Sequence, residues 1–441
     1  MDRPNIIFMH SHNTGRYIQP YGHAVPTPNL QRLAEEGVTF RNAFAAAPTC
    51  SPSRAAFLTG QFAHESGMTG LAHRGWALND VKKHIIHTLV GAGYETVLCG
   101  VEHTAPHGNN QANAVGYERV LKAKTSHAEF VGPAVSDYLR EDHKKPFFIS
   151  AGIYETHIPF PDPEPDQHPQ EDPRYTLVPR PLPDHPGIRQ EMAAFKRSAR
   201  NMDDCVGQIL DALDESGLAD STLVCCFSDH GLQFARNMCN LTDHGIAVYL
   251  VTRGPGGFEG GRVEDAVVSL IDLFPTVCDV TGVDSPAWLR GTSLLPLIEG
   301  EVDRLHEEVF AEVSYHGAYE PQRCVRTDRY KYIRRFDNRD KVLIVNADDT
   351  PSKEVLIAND WAEQPRDEEM LFDLVFDPDE SHNLAGDARL REVEEDLRDR
   401  LDQWMADTKD PLLEGPVPLP EGAYANHPDQ TSVREDTIVR G

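Results

Sequence analysis

Cys50-Ser51-Pro52-Ser53-Arg54 sets a thiol just ahead of a helix-like run, Ala55-Ala56-Phe57-Leu58-Thr59, that stops at Gly60. A cysteine there is either a small buried hydrophobe or a nucleophile whose pKa a helix N-terminus lowers. Four more groups carry reactive types: His12 and Asn13, His103, His157, and Asp229 with His230. Imidazoles suit proton transfer near neutral pH. Carboxylate, amide and imidazole together suit a divalent cation. An arginine such as Arg54 suits a bidentate grip on an oxyanion.

These groups need a scaffold that brings them together, and the apolar pattern supplies one. Residues 5–9, 95–99, 146–153, 222–227 and 247–251 are apolar runs of strand length. Helical patterns lie between them: one opens at Thr27-Pro28 and runs to Glu36, another covers 188–216 with Met192, Phe195, Met202, Val206, Ile209 and Leu213 at helical spacing. Alternating strands and helices predict an α/β fold, a large and mostly parallel central sheet with helices on both faces. Function in such sheets gathers at the carboxyl ends of strands. The polar residues at 10–13, 100–103, 155–157 and 228–230 each follow a predicted strand. After residue 300 the texture changes to charged strand-like runs at 308–312, 323–335 and 341–346, a charged helix at 388–408 and a proline-rich tail. The expectation is two domains, a catalytic one over 1–300 and a smaller C-terminal α+β one with an antiparallel sheet over 301–441. The proline-rich stretch 159–187 reads as a long loop near the site, and His84 and His87 read as helix-surface residues.

The chain has 441 residues and a net charge of −28, from 42 Lys+Arg and 70 Asp+Glu. That acidity argues against nucleic-acid binding and against docking on anionic membranes. It leaves room for an anionic small substrate in a local cationic pocket. No run reaches membrane-spanning length and no secretory leader is visible, and the eight cysteines are scattered, which together read as a cytoplasmic protein with reduced thiols.

The cysteine pentapeptide with Leu58-Thr59-Gly60 resembles the signature of the sulfatase family. Other stretches resemble that family too: Pro4-Asn5-Ile6-Ile7, Thr27-Pro28-Asn29-Leu30, Phe227-Ser228-Asp229-His230-Gly231, Arg326 to Tyr332, and Leu371-Phe372-Asp373. Cys50 to Leu71 looks closest to the heparan N-sulfatase (sulfamidase) branch. The resemblance implies an alkaline phosphatase-like fold and a hydrolase of sulfate esters or sulfamates, acting on a small sulfated, glycosaminoglycan-like sugar. It implies that a formylglycine-generating enzyme converts Cys50, whose hydrated aldehyde is then the nucleophile. It implies one divalent metal ion on His12, Asn13, Asp229 and His230, calcium by family habit, with manganese or zinc better matched to imidazoles. Arg54 would contact the anion, His103 would assist collapse of the sulfated intermediate, and His157 would protonate the leaving group. Arg236, Met238, Asp243 and His244 fall where the family contacts substrate. A homo-oligomer is compatible with all of this.

The chain also departs from the family pattern. Two early carboxylates fall on His12 and Asn13, a lysine position falls on Val101, and a Lys-or-Arg position falls near Met238, where Arg236 two residues earlier is a candidate substitute. Two negative and two positive charges vanish together, which keeps the pocket near balance. Two other readings follow: a phosphonate monoester hydrolase or phosphodiesterase of the same superfamily, and a weakly active divergent homologue.

Overall fold

The computed structural model describes residues 3–106, 111–436 and 438–441. Nine strands form one sheet: β1 (Asn5–Ser11), β2 (Val38–Phe44), β3 (Glu95–Gly100), β4 (Arg119–Val120), β5 (Phe147–Gly152), β6 (Thr222–Ser228), β7 (Ala247–Val248), β8 (Leu250–Arg253) and β9 (Arg262–Ser269). Their order is β4-β3-β5-β1-β6-β8-β2-β7, with β9 beside β2. The run from β4 to β6 is wholly parallel, and β8 joins it antiparallel. The α/β fold with helices on both faces is as the sequence predicts.

The period-two pattern of β1 explains the layering. Ile6 and Phe8 point to one face, where Phe8 packs edge-on against Phe148 and Phe227 at centroid distances of 5.2 and 5.6 Å. Ile7 and Met9 point to the other face, into Val97, Ile149, Met202 and Ile209. The last two come from the 30-residue helix Pro186–Glu215, which His185 caps by accepting from the Gly187 N–H.

The C-terminal region forms a four-stranded antiparallel meander, β10 (Glu308–Tyr315), β11 (Tyr319–Thr327), β12 (Tyr330–Arg335) and β13 (Glu369–Asp373). The helix Arg391–Thr408 covers it with Leu397, Leu401 and Met405. Two expectations are corrected here. Residues 341–346 are not the next strand: Leu343 and Val345 are buried beneath Ala318, and the backbone closes a short 3-10 turn, Ile344–Asn346. The fourth strand is β13, whose alternation is masked by the acidic residues before it. The tail also folds, pairing Tyr424–Asn426 with Ile438–Arg440.

Buried ion pairs tie the C-terminal meander to the rest of the chain. Arg323 meets Asp410 at 2.5 Å and Glu312 at 3.2 Å, and Glu312 meets His64 at 2.8 Å. Nearby, Lys331 pairs with Asp243 at 2.6 Å and with Glu380 at 2.9 Å. His84 is not a surface residue either. It is fully buried and caps the helix Ile85–Gly91 by accepting from Ile86 N–H. All eight cysteines are free and buried. Among the described residues no helix is long and apolar enough to cross a membrane.

Candidate active site

The helix Cys50–Thr59 follows β2, and every one of its residues is buried. Pro52 fits its first turn, where no intrahelical N–H is needed. Gly60 ends it with φ +66°, a left-handed conformation that glycine adopts without strain. The helix therefore opens at Cys50 and aims its positive end at the carboxyl edge of β1 and β6.

At that edge the side chains converge. Cys50 Sγ lies 3.4 Å from His230 Nε2 and donates to Asn13 Oδ1 at 3.7 Å. Asp229 is held from several sides. Its Oδ1 accepts from the Asn13 and His230 backbone N–H groups at 2.8 and 2.9 Å. Its Oδ2 receives Arg54 Nε at 3.1 Å and Nη2 at 3.0 Å. Arg54 is fully buried, and its Nη1 donates to His10 Nδ1 at 2.7 Å. His10 Nε2 in turn reaches Ser150 Oγ at 2.9 Å. Burial, then the adjacent Arg54 charge, pushes the His10 pKa well below its usual value, which keeps that ring a neutral acceptor.

Imidazoles line the rest. The His12 ring sits 4.5 Å from His157, 6.1 Å from His103 and 6.4 Å from His230, centroid to centroid. His103 is delivered by the turn after β3, and His73 Nδ1 approaches its Nε2 to 3.2 Å. Gly100 makes that turn feasible: its φ is +87° and a Cβ there would stand 2.0 Å from Gly152 O. Asn13 and His103 themselves hold positive φ, at 64° and 69°, backbone strain of the sort that clusters at functional sites.

The donor set fits a divalent cation. Donor atoms of His12, Cys50, Asp229 and His230 all lie within 4.8 Å of one another. His12 is only 4% exposed, yet neither ring nitrogen has a hydrogen-bond partner. Such orphaned buried groups call for a ligand. His230 Nδ1 sits 3.1 Å from Gly231 O, which leaves Nε2 facing Cys50. Burial, and then neighbouring cationic groups, depress the His12 pKa strongly, and burial also lowers that of His230. Neutral imidazoles are the form that binds metal. Burial, reinforced by the Asp229 carboxylate, pushes the Cys50 thiol well up.

Sequence reasoning did not single out several groups at this site. Gln233 accepts from Asn13 Nδ2 at 2.6 Å and from Ile158 N–H at 2.9 Å, and donates to Asp348 Oδ2 at 2.5 Å. It thereby ties Asn13 to the His157 loop and to the C-terminal region. His10 held a place in the polar run after β1, the one available signal, but its partners lie 44 and 140 residues away.

The four residues expected at the substrate stand apart from the Cys50 cluster. Arg236, Met238 and His244 line a cavity of about 240 Å³ with Trp361, Arg366 and Glu380, and none of the Cys50 group lines it. Asp243 is committed to Lys331 and to Arg326, the latter at 3.2 Å, and Arg326 stacks on Phe44 at 4.1 Å. Those contacts join the two sheets.

Against this geometry, comparison with known proteins is specific. The sulfatase family profile matches residues 4–283, and that of the N-sulphoglucosamine sulphohydrolase C-terminal region matches 229–370. The chain belongs to the sulfatase family and is a hydrolase of that class. It is 30% identical to human N-sulphoglucosamine sulphohydrolase, over 89% of this chain and 88% of that protein. It is 29% identical to an ulvan-active sulfatase of Formosa agariphila, over 95% of this chain and 83% of that one. A solved structure in complex with its substrate D-glucosamine-2-N,6-O-disulfate superposes with TM-score 0.73 at 19% identity, covering 93% of this chain and 99% of the other. The phosphonate monoester hydrolase of Agrobacterium radiobacter superposes at 0.71 with 20% identity, covering 92% and 96%. Those two likenesses concern the fold.

Proposed function

We propose that this enzyme removes sulfate from an O-sulfated or N-sulfated sugar, with Cys50 converted to formylglycine before turnover. One observation carries the reading: Cys50 Sγ stands at the opening of a buried helix, 3.4 Å from His230 Nε2, within the Asp229 and Arg54 group. The resemblance of its relatives' substrates, a sulphoglucosamine in the human protein's name, supports the sugar.

Formylglycine at position 50 would supply a geminal diol, a nucleophile for sulfur that regenerates its aldehyde and so spares water the attack on a stable ester. A divalent cation on Asp229, His230, Asn13 and His12 would polarise the sulfate oxygens. The chain's own groups do the rest. Arg54, oriented by Asp229 and His10, holds positive charge beside the position-50 side chain and favours an anion there. His157 is anchored through Nδ1, 2.6 Å from Ile158 O, so Nε2 of the protonated ring is the atom that would hand a proton to the leaving oxygen or nitrogen, leaving the neutral Nδ1–H ring. His103, braced by His73, would take the proton that leaves the position-50 hydroxyl as sulfate departs. Burial excludes competing water, since Cys50, His12, Asn13, Arg54 and Asp229 are each at most 4% exposed.

The test is sulfate release by the enzyme co-expressed with a formylglycine-generating enzyme, on N-sulfoglucosamine, an O-sulfated sugar and a phosphonate monoester. Turnover of either sulfated sugar above the phosphonate supports the reading. Phosphonate cleavage alone would replace it with the sister activity.

A further inference from the structure

Beyond the hydrolytic reading, and independent of it, we propose that the unconverted chain is a zinc-binding protein, with the Cys50 thiolate, His12, Asp229 and His230 as the four ligands.

Four observations lead there. The four donor atoms lie within 4.8 Å of one another, and all four residues are buried. Both nitrogens of His12 are orphaned in the interior, so one ring already faces the cluster with no other use. His230 keeps Nε2 toward the sulfur because its Nδ1 sits against the Gly231 carbonyl. Asp229 is fixed in orientation by two backbone N–H groups and Arg54.

The donor chemistry selects the ion. One thiolate, one carboxylate and two imidazoles make a four-coordinate set of the kind zinc prefers. Calcium asks for six to eight oxygens, and among the four residues of the cluster Asp229 alone supplies a carboxylate. Thiolate and carboxylate together offset the 2+ ion, and the Arg54 guanidinium beside Asp229 leaves one net positive charge at the site. Binding replaces the S–H bond by S–Zn, and the thiol proton leaves to water. Conversion of Cys50 removes the sulfur and with it one ligand, so the immature and mature chains would hold metals of different character at one place.

The test uses the full chain made in a host without the converting enzyme, with the thiol verified by peptide mass. Titration with Co²⁺ as the probe should saturate at one equivalent and give a thiolate-to-cobalt charge-transfer band in the near ultraviolet. Zn²⁺ should bleach that band at equimolar level, and Ca²⁺ in large excess should not. Cys50→Ser should lose the band while His12→Gln weakens Co²⁺ binding by more than about tenfold. X-ray absorption at the zinc edge of the wild-type chain needs no variant and counts ligands directly: one sulfur at about 2.3 Å beside nitrogen and oxygen at about 2.0–2.2 Å is expected. A zinc shell with no sulfur, a Co²⁺ complex with no charge-transfer band, or displacement of Co²⁺ by Ca²⁺ as readily as by Zn²⁺ would overturn the proposal. Sulfate release by the converted enzyme is a separate measurement, so either reading can fail alone.

Discussion

Replacing Arg54 by lysine is the most informative conservative change. The guanidinium makes three contacts, Nε and Nη2 to Asp229 Oδ2 at 3.1 and 3.0 Å and Nη1 to His10 Nδ1 at 2.7 Å. A lysine ammonium keeps the charge but cannot span both partners from one planar fork. Two of these, through Nε and Nη1, are hydrogen bonds, and Nη2 adds only charge proximity, so with one recovered one hydrogen bond is lost. Each hydrogen bond to a charged group is worth about 1.5–3 kcal/mol, so the deficit is about 1.5–3 kcal/mol. The side chain is fully buried, so solvent screening offers little relief. If the lost contact acts fully on the transition state, kcat/KM falls by about one to two powers of ten. The assay is initial-rate sulfate release by Arg54→Lys beside wild type, with a denaturant midpoint measured on each to separate misfolding from lost catalysis. A folded variant within about threefold of wild-type kcat/KM would refute the placement of Arg54 at the reacting group.

Three further outcomes are expected. His84 is buried as a neutral cap with its pKa pushed down to about 3 by burial; the unfolded chain protonates near 6.5, so stability is intact above that pH and is lost as pH falls toward 3. His84→Asn keeps a capping acceptor, and its unfolding free energy should therefore fall less steeply below pH 6.5, by up to about 1.4 kcal/mol per pH unit. Arg323→Met leaves the buried Asp410 carboxylate without its cation and Glu312 with His64 alone, and should cost about 3–5 kcal/mol in urea unfolding. Arg236→Ala, which alters a cavity apart from the Cys50 group, should change kcat/KM by less than about threefold.

Local pattern made part of this molecule legible and long-range contact hid the rest. The strand ends at β1, β3, β5 and β6 could be read from apolar runs, and the structure gathers the polar residues that follow them. The helix Cys50–Thr59 was written in Pro52 near its start and Gly60 at its end. Gln233 could not be found that way, because its meaning lies in Asn13, Ile158 and Asp348, up to 220 residues distant. Asp243 looked like a site residue for the same reason in reverse: only the folded chain shows Lys331 and Arg326 claiming it. Residues 341–346 carry strand-like composition, yet consecutive burial of Leu343, Ile344 and Val345 defeats the alternation a sheet edge requires. His84 had no local signal to separate a buried cap from a surface imidazole.

The central claim is that position 50 carries the reacting group of a sulfatase, and sulfate release by Cys50→Ala against wild type tests it most directly. Both proteins are prepared with the converting enzyme, and free sulfate is quantified by ion chromatography on the best sulfated sugar. The account predicts turnover in wild type and none above background in Cys50→Ala, with the two unfolding at the same denaturant midpoint. Equal turnover by the two proteins would contradict it.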